Sequence, residues 1–469
     1  MSCAARRITQ ILSALILLTT ICAANTEKEE GPNIIVILAD DLGYGDLGCY
    51  NAESKIPTPN LDALATKGVR FTDAHAGGYY CVPSRYALMT GTFASRTSMN
   101  LGNGPLIRPG QPTVASVLRE NGYQTAMVGK WHLGFDAFLQ GVHENINFNG
   151  EFTGGPVDCG FHQFFGIHAS LDIPPYFFIR NRKAVSPPTE SIGASEGVDP
   201  VAGWNNIQGP FWRKGWASPV FDPASVTPRF FEEARAVISK HEKEASGKPL
   251  FLYLALPSPH TPWLPLPEFR AKSGAGSYGD FVVQVDAGIG QLLALVDESS
   301  LADNCLILFS SDNGPVWYDA NVEQYGHRSC GPLRGMKGSE LEGGHRGPFI
   351  VRWTGRCPAG ITSDRTVDFT DLLPTISQLC GGQPESGWDG ASFLSVLQGK
   401  EGGTPRPAIV HTKNCIRDGK WKLIRGTQKT PPEVQLYDLV ADLGEKQNVA
   451  KDNPAIVARL TDKLDSLIP

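Results

Sequence analysis

Two pairs of oxygen-bearing side chains are well suited to hold a cation in this chain of 469 residues. Asp40-Asp41 and Asp312-Asn313 each follow an apolar run. Calcium, a hard cation, binds about six to eight oxygens, including those of water and substrate. Clustered carboxylates repel one another strongly unless a cation lies between them. Either pair alone also fits a turn or a helix cap, but two pairs that each end an apolar run favour a calcium site.

A cysteine lies at the start of a predicted short helix. Cys81 stands two residues before Pro83, and proline is favoured at a helix start because its missing N–H is not needed there. We therefore predict a short helix from Pro83 to Thr90, with Cys81 at its N-terminus, where backbone donors favour an anion. Arg85, one turn inside, can reach back with a charged fork. A buried or disulfide-bonded cysteine is the alternative.

Further charged side chains suit acid–base chemistry on an anion. Lys130 and His132 are two residues apart, so in extended structure they share a face. Lysine neutralises anionic oxygens, and histidine moves protons near neutral pH. His260, between two prolines, suits a proton donor, and Lys337, between glycines, suits a second cation. Each of these residues alone is also compatible with an ordinary surface lysine or loop histidine.

One more pair is a candidate for substrate contact. His345-Arg346 follows two glycines and has no partner motif in the sequence, so we leave its role undecided between substrate binding and structure.

Alternating strands and helices must position these residues. The runs that read as buried strands are residues 33–39, 125–128, 250–256 and 305–309. The stretches that read as helices are residues 61–67, 114–121, 229–244 and 281–296. This order predicts an α/β fold with a large, mostly parallel, doubly wound sheet. The polar clusters follow the strands, and the loops at the carboxyl ends of such strands build active sites.

Two regions differ from this pattern. Residues 171–228 are rich in proline, glycine and aromatics, including Trp204, Trp212 and Trp216, and fit either a binding wall or a surface insertion. Beyond a boundary near residues 381–387, short runs at 408–411, 421–424 and 434–439 predict a small antiparallel sheet, closed by a helix over 454–467. We therefore divide the chain into a catalytic domain over 31–383 and a C-terminal α+β subdomain over 384–469.

The N-terminus predicts export. Arg6 and Arg7 precede an apolar core at residues 11–21 and small residues at 23–24, so residues 1–24 read as a signal peptide, with an uncleaved anchor as the alternative. The core is too short to span a bilayer comfortably, and no later segment reaches transmembrane length, so we expect no stable membrane span. The chain contains no Asn-X-Ser/Thr sequon, which favours a bacterial periplasmic or secreted protein over a lysosomal one.

Charge and cysteine content add two limits. The net charge is −6 and no basic block exists, so we expect no nucleic-acid partner. Of 10 cysteines, Cys3 and Cys22 would leave with the signal peptide. If Cys81 does not take part in a disulfide, an odd number remains and at least one further thiol has no partner within the chain.

The motifs together resemble those of type I, formylglycine-dependent sulfatases, an arylsulfatase-like family of the alkaline phosphatase superfamily. The resemblance rests on Cys81-X-Pro-Ser-Arg85, on Gly-Lys-Trp-His-Leu-Gly at 129–134, and on the Asp40, His260, Asp312 and Lys337 motifs, which occur in the family's order. Residues 369–375 and 436–439 look like its later landmarks, so the resemblance covers about residues 31–450.

The resemblance implies a modified nucleophile and one calcium ion per chain. In this family a formylglycine-generating enzyme oxidises the cysteine, here Cys81, to formylglycine (3-oxoalanine), whose hydrate attacks sulfur. The metal ligands it implies are Asp40, Asp41, Cys81, Asp312 and Asn313.

The resemblance also implies a role for each catalytic residue. Asp312 helps to deprotonate the nucleophile and Arg85 orients it. Lys130 and Lys337 hold the sulfate oxygens. His260 protonates the leaving alcohol, and His132 takes the proton whose removal expels sulfate. By a looser local match, Ser170 corresponds to a serine that contacts the nucleophile.

The expected reaction is sulfate ester hydrolysis, with a sulfated carbohydrate as the substrate hypothesis. A phosphodiesterase or phosphonate monoester hydrolase of the same superfamily is the nearest alternative, although Lys130 with His132 favours sulfate. A non-catalytic glycan-binding relative is the alternative from a different class, although every expected catalytic position is intact.

Overall fold

A computed structural model describes residues 31–97, 104–138, 146–195, 208–244, 246–383, 385, 387–400, 406–426 and 433–468. Residues 32–469 belong to one compact unit. The predicted signal peptide (1–24) and Trp204 lie outside the described residues, so their assignments stay predictions.

Short and long strands alternate with helices along the chain. The strands are β1 Asn33–Asp40, β2 Val69–Phe71, β3 Ala74–His75, β4 Gln124–Lys130, β5 Gln163–Ile167, β6 Ile179–Arg180, β7 Lys183–Ala184, β8 Glu190–Ile192, β9 Gly215–Ala217, β10 Leu250–Pro259, β11 Cys305–Ser311, β12 Phe349–Trp353, β13 Ile361–Ser363, β14 Val367–Asp368, β15 Ile409–Thr412, β16 Cys415–Asp418, β17 Trp421–Ile424 and β18 Gln435–Asp438. The α-helices are α1 Pro59–Thr66, α2 Cys81–Thr90, α3 Val114–Glu120, α4 Val226–Glu244, α5 Gly276–Glu298, α6 Asp319–Tyr325, α7 Glu342–His345, α8 Leu372–Leu379, α9 Leu394–Leu397 and α10 Pro454–Leu467.

A ten-stranded sheet forms the centre of the protein, in the order β13-β2-β12-β11-β1-β10-β4-β5-β6-β7. The run from β11 to β5 is parallel throughout, and antiparallel pairs join β12 and β6 to it on either side. The predicted α/β fold with a mostly parallel sheet is therefore confirmed. In this arrangement the carboxyl ends of β1, β10, β4 and β11 share one edge.

Both faces of the sheet are covered, which explains why its central strands read as continuous apolar runs. Ile34, Val36 and Leu38 point into one core, which also contains residues of α2, α3 and α8. Ile35 and Ile37 point into the other, with residues of α1, α4 and α5. Because side chains alternate along a strand, β1 contributes apolar side chains to both cores.

The strands continue beyond the apolar runs that predicted them. β1 includes Asp40, β4 ends at Lys130, and β10 extends to Pro259. Strand pairing is a backbone interaction, so polar side chains can follow apolar ones within a single strand. The polar clusters therefore belong to the rigid sheet or to the residues immediately after it.

The helix after the proposed nucleophile begins earlier than predicted. It spans Cys81–Thr90, with extended Tyr80 before it, so Pro83 lies within the first turn rather than at its start. The first-turn N–H groups lack partners in any helix, so the proline costs nothing there. Cys81 is thus the first helical residue rather than a residue ahead of the helix.

The C-terminal part forms the predicted small antiparallel sheet, in the order β15-β16-β17-β18. The final helix has the predicted bounds Pro454–Leu467 and packs Leu460 and Leu464 against Ile416 and Leu423. β16 was missed because its short sequence Cys-Ile-Arg-Asp lacks a clear strand pattern. The boundary between residues 383 and 384 stays a prediction.

Two other segments add detail to the predictions. α5 has 23 residues and, among the described residues, is by length and composition a candidate membrane span, although no segment after the N-terminus was expected to reach that length. Many of its side chains, such as Phe281 and Leu292, are buried in the core beneath the sheet, as in the core helix of a globular protein. The 171–228 excursion is partly regular, since β6 and β7 extend the main sheet and β8 pairs with β9.

Candidate active site at the carboxyl edge of the sheet

Adjacent parallel strands bring the two oxygen-bearing pairs together. Asp40 ends β1, and Asp312 follows its neighbour β11. The Asp41 backbone N–H donates to Asp312 Oδ1 (3.3 Å), and Asn313 Nδ2 donates to Asp41 Oδ1 (2.7 Å). All four side chains belong to buried residues. The predicted convergence of these residues is therefore present in the structure.

Two oxygens of this group have no partner. Among the described residues, Asp40 Oδ1 and Asn313 Oδ1 are buried and accept no hydrogen bond, although buried polar atoms are nearly always paired. They belong to a donor set made only of carboxylate and amide oxygens, the set that calcium prefers. The residues present therefore fit the cation that the sequence implies.

Three positive side chains balance the carboxylates. Arg85 donates from Nε to Asp312 Oδ2 (2.8 Å) and from Nη1 to the Lys130 carbonyl (2.8 Å). Lys130 is ion-paired with Asp40, and Lys337 Nζ lies 2.6 Å from Asp41 Oδ1. The site thus holds charges of both signs, most of them shielded from water.

The surrounding charges shift the pKa values of two of the carboxyl groups in opposite directions. Burial alone would raise the pKa of Asp40, but the positive charges of Lys130, His260 and Arg85 lower it well below its usual range. Burial and the nearby charge of Asp40 raise the pKa of Asp312 to about 6. Like charges held together oppose full ionisation. A bound cation would reduce the repulsion between these carboxylates.

Cys81 lies at the N-terminus of α2 with its Sγ atom 3.3 Å from His132 Nδ1. Burial raises the pKa of its thiol, although the charges of Lys130 and Lys337 lower it in part. The thiolate is the nucleophilic form of cysteine, so the unmodified side chain is poorly activated here.

His132 is held as a neutral base. Burial and the positive charges of Lys130 and Arg85 lower its pKa well below the ordinary value. Its backbone φ is 59°, and its N–H donates to the His168 carbonyl (3.0 Å). A left-handed backbone is unusual for a residue other than glycine, and it turns the chain sharply at the end of β4.

The glycine before Lys130 has a steric reason. Gly129 has φ +124°, and a Cβ atom there would lie 1.9 Å from the Ala255 carbonyl oxygen of the adjacent strand. Only glycine accepts this conformation and this approach. The Gly-Lys-X-His motif therefore places Lys130 and His132 through a backbone path that other residues would block.

His260 and Lys337 close the outer side of the carboxylate group. His260 Nε2 lies 3.7 Å from Asp41 Oδ2, and its Nδ1 bonds to the Thr261 carbonyl (2.7 Å). Because a carbonyl only accepts, Nδ1 carries a proton, and Nε2 is the nitrogen that can exchange one. The side chains of His260 and Lys337 each keep 11% exposure, so both retain some contact with solvent.

Ser170 is not joined to this group by its hydrogen bond. The residue is buried, and its carbonyl accepts from the Ile173 N–H (3.0 Å). This contact holds the turn after β5 and makes no link to Cys81. Its proposed contact with the nucleophile stays a prediction.

His345 and Arg346 belong to a second buried cluster rather than to the carboxylate group. Arg346 Nη1 lies 3.0 Å from Asp73 Oδ1 and 3.1 Å from Glu342 Oε2. His345 is fully buried, and its Nδ1 lies 3.1 Å from His75 Nδ1. Burial in this ionic network gives both residues a structural reason, and their predicted substrate contact finds no support there.

The C-terminal sheet supplies the remaining partners of this second cluster. Arg417 holds Asp73 with two hydrogen bonds of 2.6 Å. Lys422 Nζ lies 3.0 Å from Glu342 Oε1 and 2.9 Å from Glu445 Oε1. The cluster therefore ties the C-terminal sheet to the segment before Cys81 and to the loop after Lys337.

Sequence reasoning missed this cluster. Asp73 and His75 have the alternating spacing of a strand, which was the available local signal. Their partners Glu342, Arg417 and Lys422 are distant in the chain, and a charge in a short amphipathic strand reads first as solvent-exposed. Pairing across several hundred residues leaves no pattern in one sequence.

Comparison with known proteins agrees with the geometry. The family model described as Sulfatase matches residues 32–382. The chain therefore belongs to the sulfatase family and is an enzyme of the sulfuric ester hydrolase class. Its architecture, with the small C-terminal sheet, is that of this family's alkaline-phosphatase-like fold.

Individual relatives cover nearly the whole chain. An N-acetylgalactosamine-6-O-sulfatase of Bacteroides thetaiotaomicron is 34% identical, over 98% of both chains. Arylsulfatase A of Bos taurus is 35% identical, over 93% of this chain and 87% of its own. One similar solved structure has a description that refers to the metabolism of multiple glycosaminoglycans by Bacteroides thetaiotaomicron. It matches with a TM-score of 0.81 and 32% identity, and the match covers 94% of this chain and 99% of that one.

Calcium should stabilise the folded protein. We expect the melting temperature of chelator-treated protein to rise on calcium addition, because binding to the folded state at 100 times the Kd contributes about 2.7 kcal/mol. Asp41→Asn should weaken this response at least tenfold in calcium concentration. Asp158→Asn, which removes a partly exposed partner of Arg182, is the control and should respond like wild type. An equal response in both variants would rule out the carboxylate group as the calcium site.

Lys422→Met should destabilise the protein by about 3–5 kcal/mol, because it removes the cation paired with buried Glu445 and leaves buried Glu342 with Arg346 as its close cation. Lys420→Met, two residues earlier, removes a side chain that is 49% exposed and paired with Asp438, so its effect should stay below about 1 kcal/mol. Urea unfolding of the two variants provides the comparison. Equal losses would show that the buried network contributes nothing special.

Proposed function

We propose that this sulfatase hydrolyses sulfate esters of a carbohydrate, using residue 81 as nucleophile after Cys81 is converted to formylglycine. The observation that carries the proposal is the meeting, at one sheet edge, of unpartnered metal-type oxygens with Cys81 and His132. We assign calcium to Asp40, Asp41, Asp312, Asn313 and residue 81. The formylglycine hydrate would supply a nucleophilic oxygen, and calcium would supply positive charge beside it.

The chain's own residues would bind and orient the sulfate group. Lys130 is paired with Asp40 and Lys337 with Asp41, so both would place positive charge beside the sulfate oxygens. Arg85 holds Asp312 and the end of β4 in fixed positions. These charges are already in place before substrate arrives, which is the electrostatic preorganisation that stabilises a transition state.

Proton transfers are assigned to three residues. Asp312, which Arg85 holds in place (2.8 Å from Nε), would accept a proton from the nucleophile. His260 Nε2, at the more open side of the site, would donate a proton to the leaving alcohol oxygen. Neutral His132, 3.3 Å from Cys81 Sγ, would take the proton whose removal from position 81 releases sulfate.

A carbohydrate substrate is supported by the names of relatives and by the excursion over residues 171–228. A relative similar over 98% of the chain is named for a sulfated amino sugar. The excursion presents Trp216 with 52% exposure, and exposed aromatic rings suit sugar faces. Its Gly209 carbonyl accepts from the Trp263 N–H (2.8 Å) and the Thr261 hydroxyl (2.7 Å), so this segment borders the His260 loop.

The remaining assignments complete the proposal. A formylglycine-generating enzyme would be the maturation partner, and the protein would be exported to a bacterial periplasm or secreted. Residues 31–383 would form the catalytic domain and 384–469 the C-terminal subdomain. Ser170 would contact the nucleophile only if the turn after β5 reaches it, and we give it no role in the reaction.

Position 81 provides the direct test. Peptide mass spectrometry on native protein should show formylglycine at Cys81, and Cys81→Ala should lower kcat/KM for an aryl sulfate below detection while leaving the melting temperature nearly unchanged. Cys415→Ala, at another buried cysteine, is the control that should keep activity. A Cys81→Ala variant as active as wild type would refute the assignment. Faster turnover of a phosphodiester than of any sulfate would overturn the reaction class.

The activity lost in His260→Ala should depend on the leaving group of the substrate if His260 is the general acid. A general acid contributes about 10²–10⁴-fold, and poor leaving groups need it most. We expect kcat to fall by about that factor for a carbohydrate sulfate and by less than about tenfold for nitrophenyl sulfate, whose alcohol leaves without help. His162→Ala, away from this edge, serves as the control. Equal losses on both substrates would exclude His260 as the acid.

A further inference from the structure

Three buried histidines converge in the second cluster, and the catalytic proposal uses none of them. His75 lies on β3 in the segment leading to Cys81, His345 ends α7 in the loop after Lys337, and His411 lies on β15 of the C-terminal sheet. One ring nitrogen from each lies within 4.8 Å of the others. Segments from distant parts of the chain thus bring three potential metal ligands to one place.

The hydrogen bonds of two rings leave their inner nitrogens as acceptors. His75 Nε2 lies 2.9 Å from Asp73 Oδ1, and His345 Nε2 lies 3.2 Å from the Glu340 carbonyl oxygen. If these oxygens are the partners, each Nε2 carries the ring proton and each Nδ1 presents a lone pair. The two Nδ1 atoms are 3.1 Å apart, so their lone pairs repel unless a cation lies between them.

His411 points to the same conclusion independently. Its residue exposure is 3%, and among the described residues neither ring nitrogen has a hydrogen-bond partner. Its ring centroid lies 3.7 Å from that of His345 and 5.2 Å from that of His75. A buried imidazole with both nitrogens unpaired is costly, and a ligand shared with its two neighbours would remove that cost.

An arrangement without metal explains only part of this geometry. Arg417 Nη1 lies 2.6 Å from His75 Nε2, and Lys422 Nζ lies 3.2 Å from His345 Nε2. If Arg417 donates to His75, that ring can donate from Nδ1 to His345, and both rings are satisfied. His411 still has no partner for either nitrogen, so this arrangement leaves the third ring unexplained.

The charge of the cluster allows a further cation. It contains one more acidic than basic side chain when the histidines are neutral. The acids are Asp73, Glu340, Glu342 and Glu445, and the bases are Arg346, Arg417 and Lys422. A bound divalent cation would offset the excess negative charge, and Asp73 against His75 is the carboxylate–histidine contact that commonly supports a ligand.

We propose that His75, His345 and His411 form a second metal site, for a late first-row divalent cation of the zinc type. Imidazole nitrogens suit zinc, nickel and copper, whereas the oxygen set at the sheet edge suits calcium. Water is available for a fourth position. The metal would clamp the C-terminal sheet to the segments that carry Cys81 and Lys337.

Metal content and thermal stability test the site. Full-length protein, stripped by chelator, exposed to zinc and then desalted, should retain about one zinc per chain and melt several degrees higher than stripped protein. His411→Phe, which keeps an aromatic ring against His345, should retain less than about a tenth of that zinc and lose the thermal response. His162→Phe, a part-exposed histidine elsewhere, is the matched control and should behave like wild type. Cobalt in place of zinc should give visible absorption typical of tetrahedral nitrogen ligands, and His411→Phe should lack it.

A further variant separates this site from the calcium site. Asp41→Asn should keep the zinc, because it alters only the oxygen ligands. Zinc lost in Asp41→Asn and kept in His411→Phe would overturn the proposal, as would folded wild type that retains none of zinc, cobalt, nickel or copper. If His411→Phe fails to fold, the wild-type zinc content, its thermal shift and the cobalt spectrum decide alone.

Discussion

The balance between buried carboxylates and buried cations is the constraint on which the rest of this structure depends. Asp40, Asp41 and Asp312 lie together with little access to water, where uncompensated charges would cost far more than a domain's net stability. Arg85, Lys130 and Lys337 reduce that cost. Each of the six side chains therefore restricts where the others can be, and the site is rigid because no member can leave alone.

The parallel sheet makes this balance possible. β1, β10, β4 and β11 deliver their ends to one edge, so residues far apart in the chain become neighbours without long side chains or special loops. α2 then places Cys81 against His132. The same strands therefore determine both the fold and the site. Their apolar residues form the core, and the polar residues that follow them form the site.

Much of this could be predicted from sequence, for a physical reason. Apolar runs bounded by polar pairs mark buried strands and their ends, and the shared edge then follows from parallel pairing, so Asp40 could be placed near Asp312. The start of α2 could not be fixed, because Pro83 fits any position of a first turn. His75, His411 and Lys422 were missed because charged and imidazole groups read as exposed until distant partners are known.

The second cluster changes the meaning of the boundary near residue 383. The sequence changes character there, but electrostatic compensation crosses it: Arg417 and Lys422, from the later part, neutralise Asp73 and Glu342, from the earlier part. A chain that ended at the boundary would keep Asp73, Glu342 and Arg346 but lose two of the bases that neutralise the two acids. The proposed catalytic domain would therefore contain every proposed catalytic residue, but it would lack part of the positive charge that balances its own buried carboxylates.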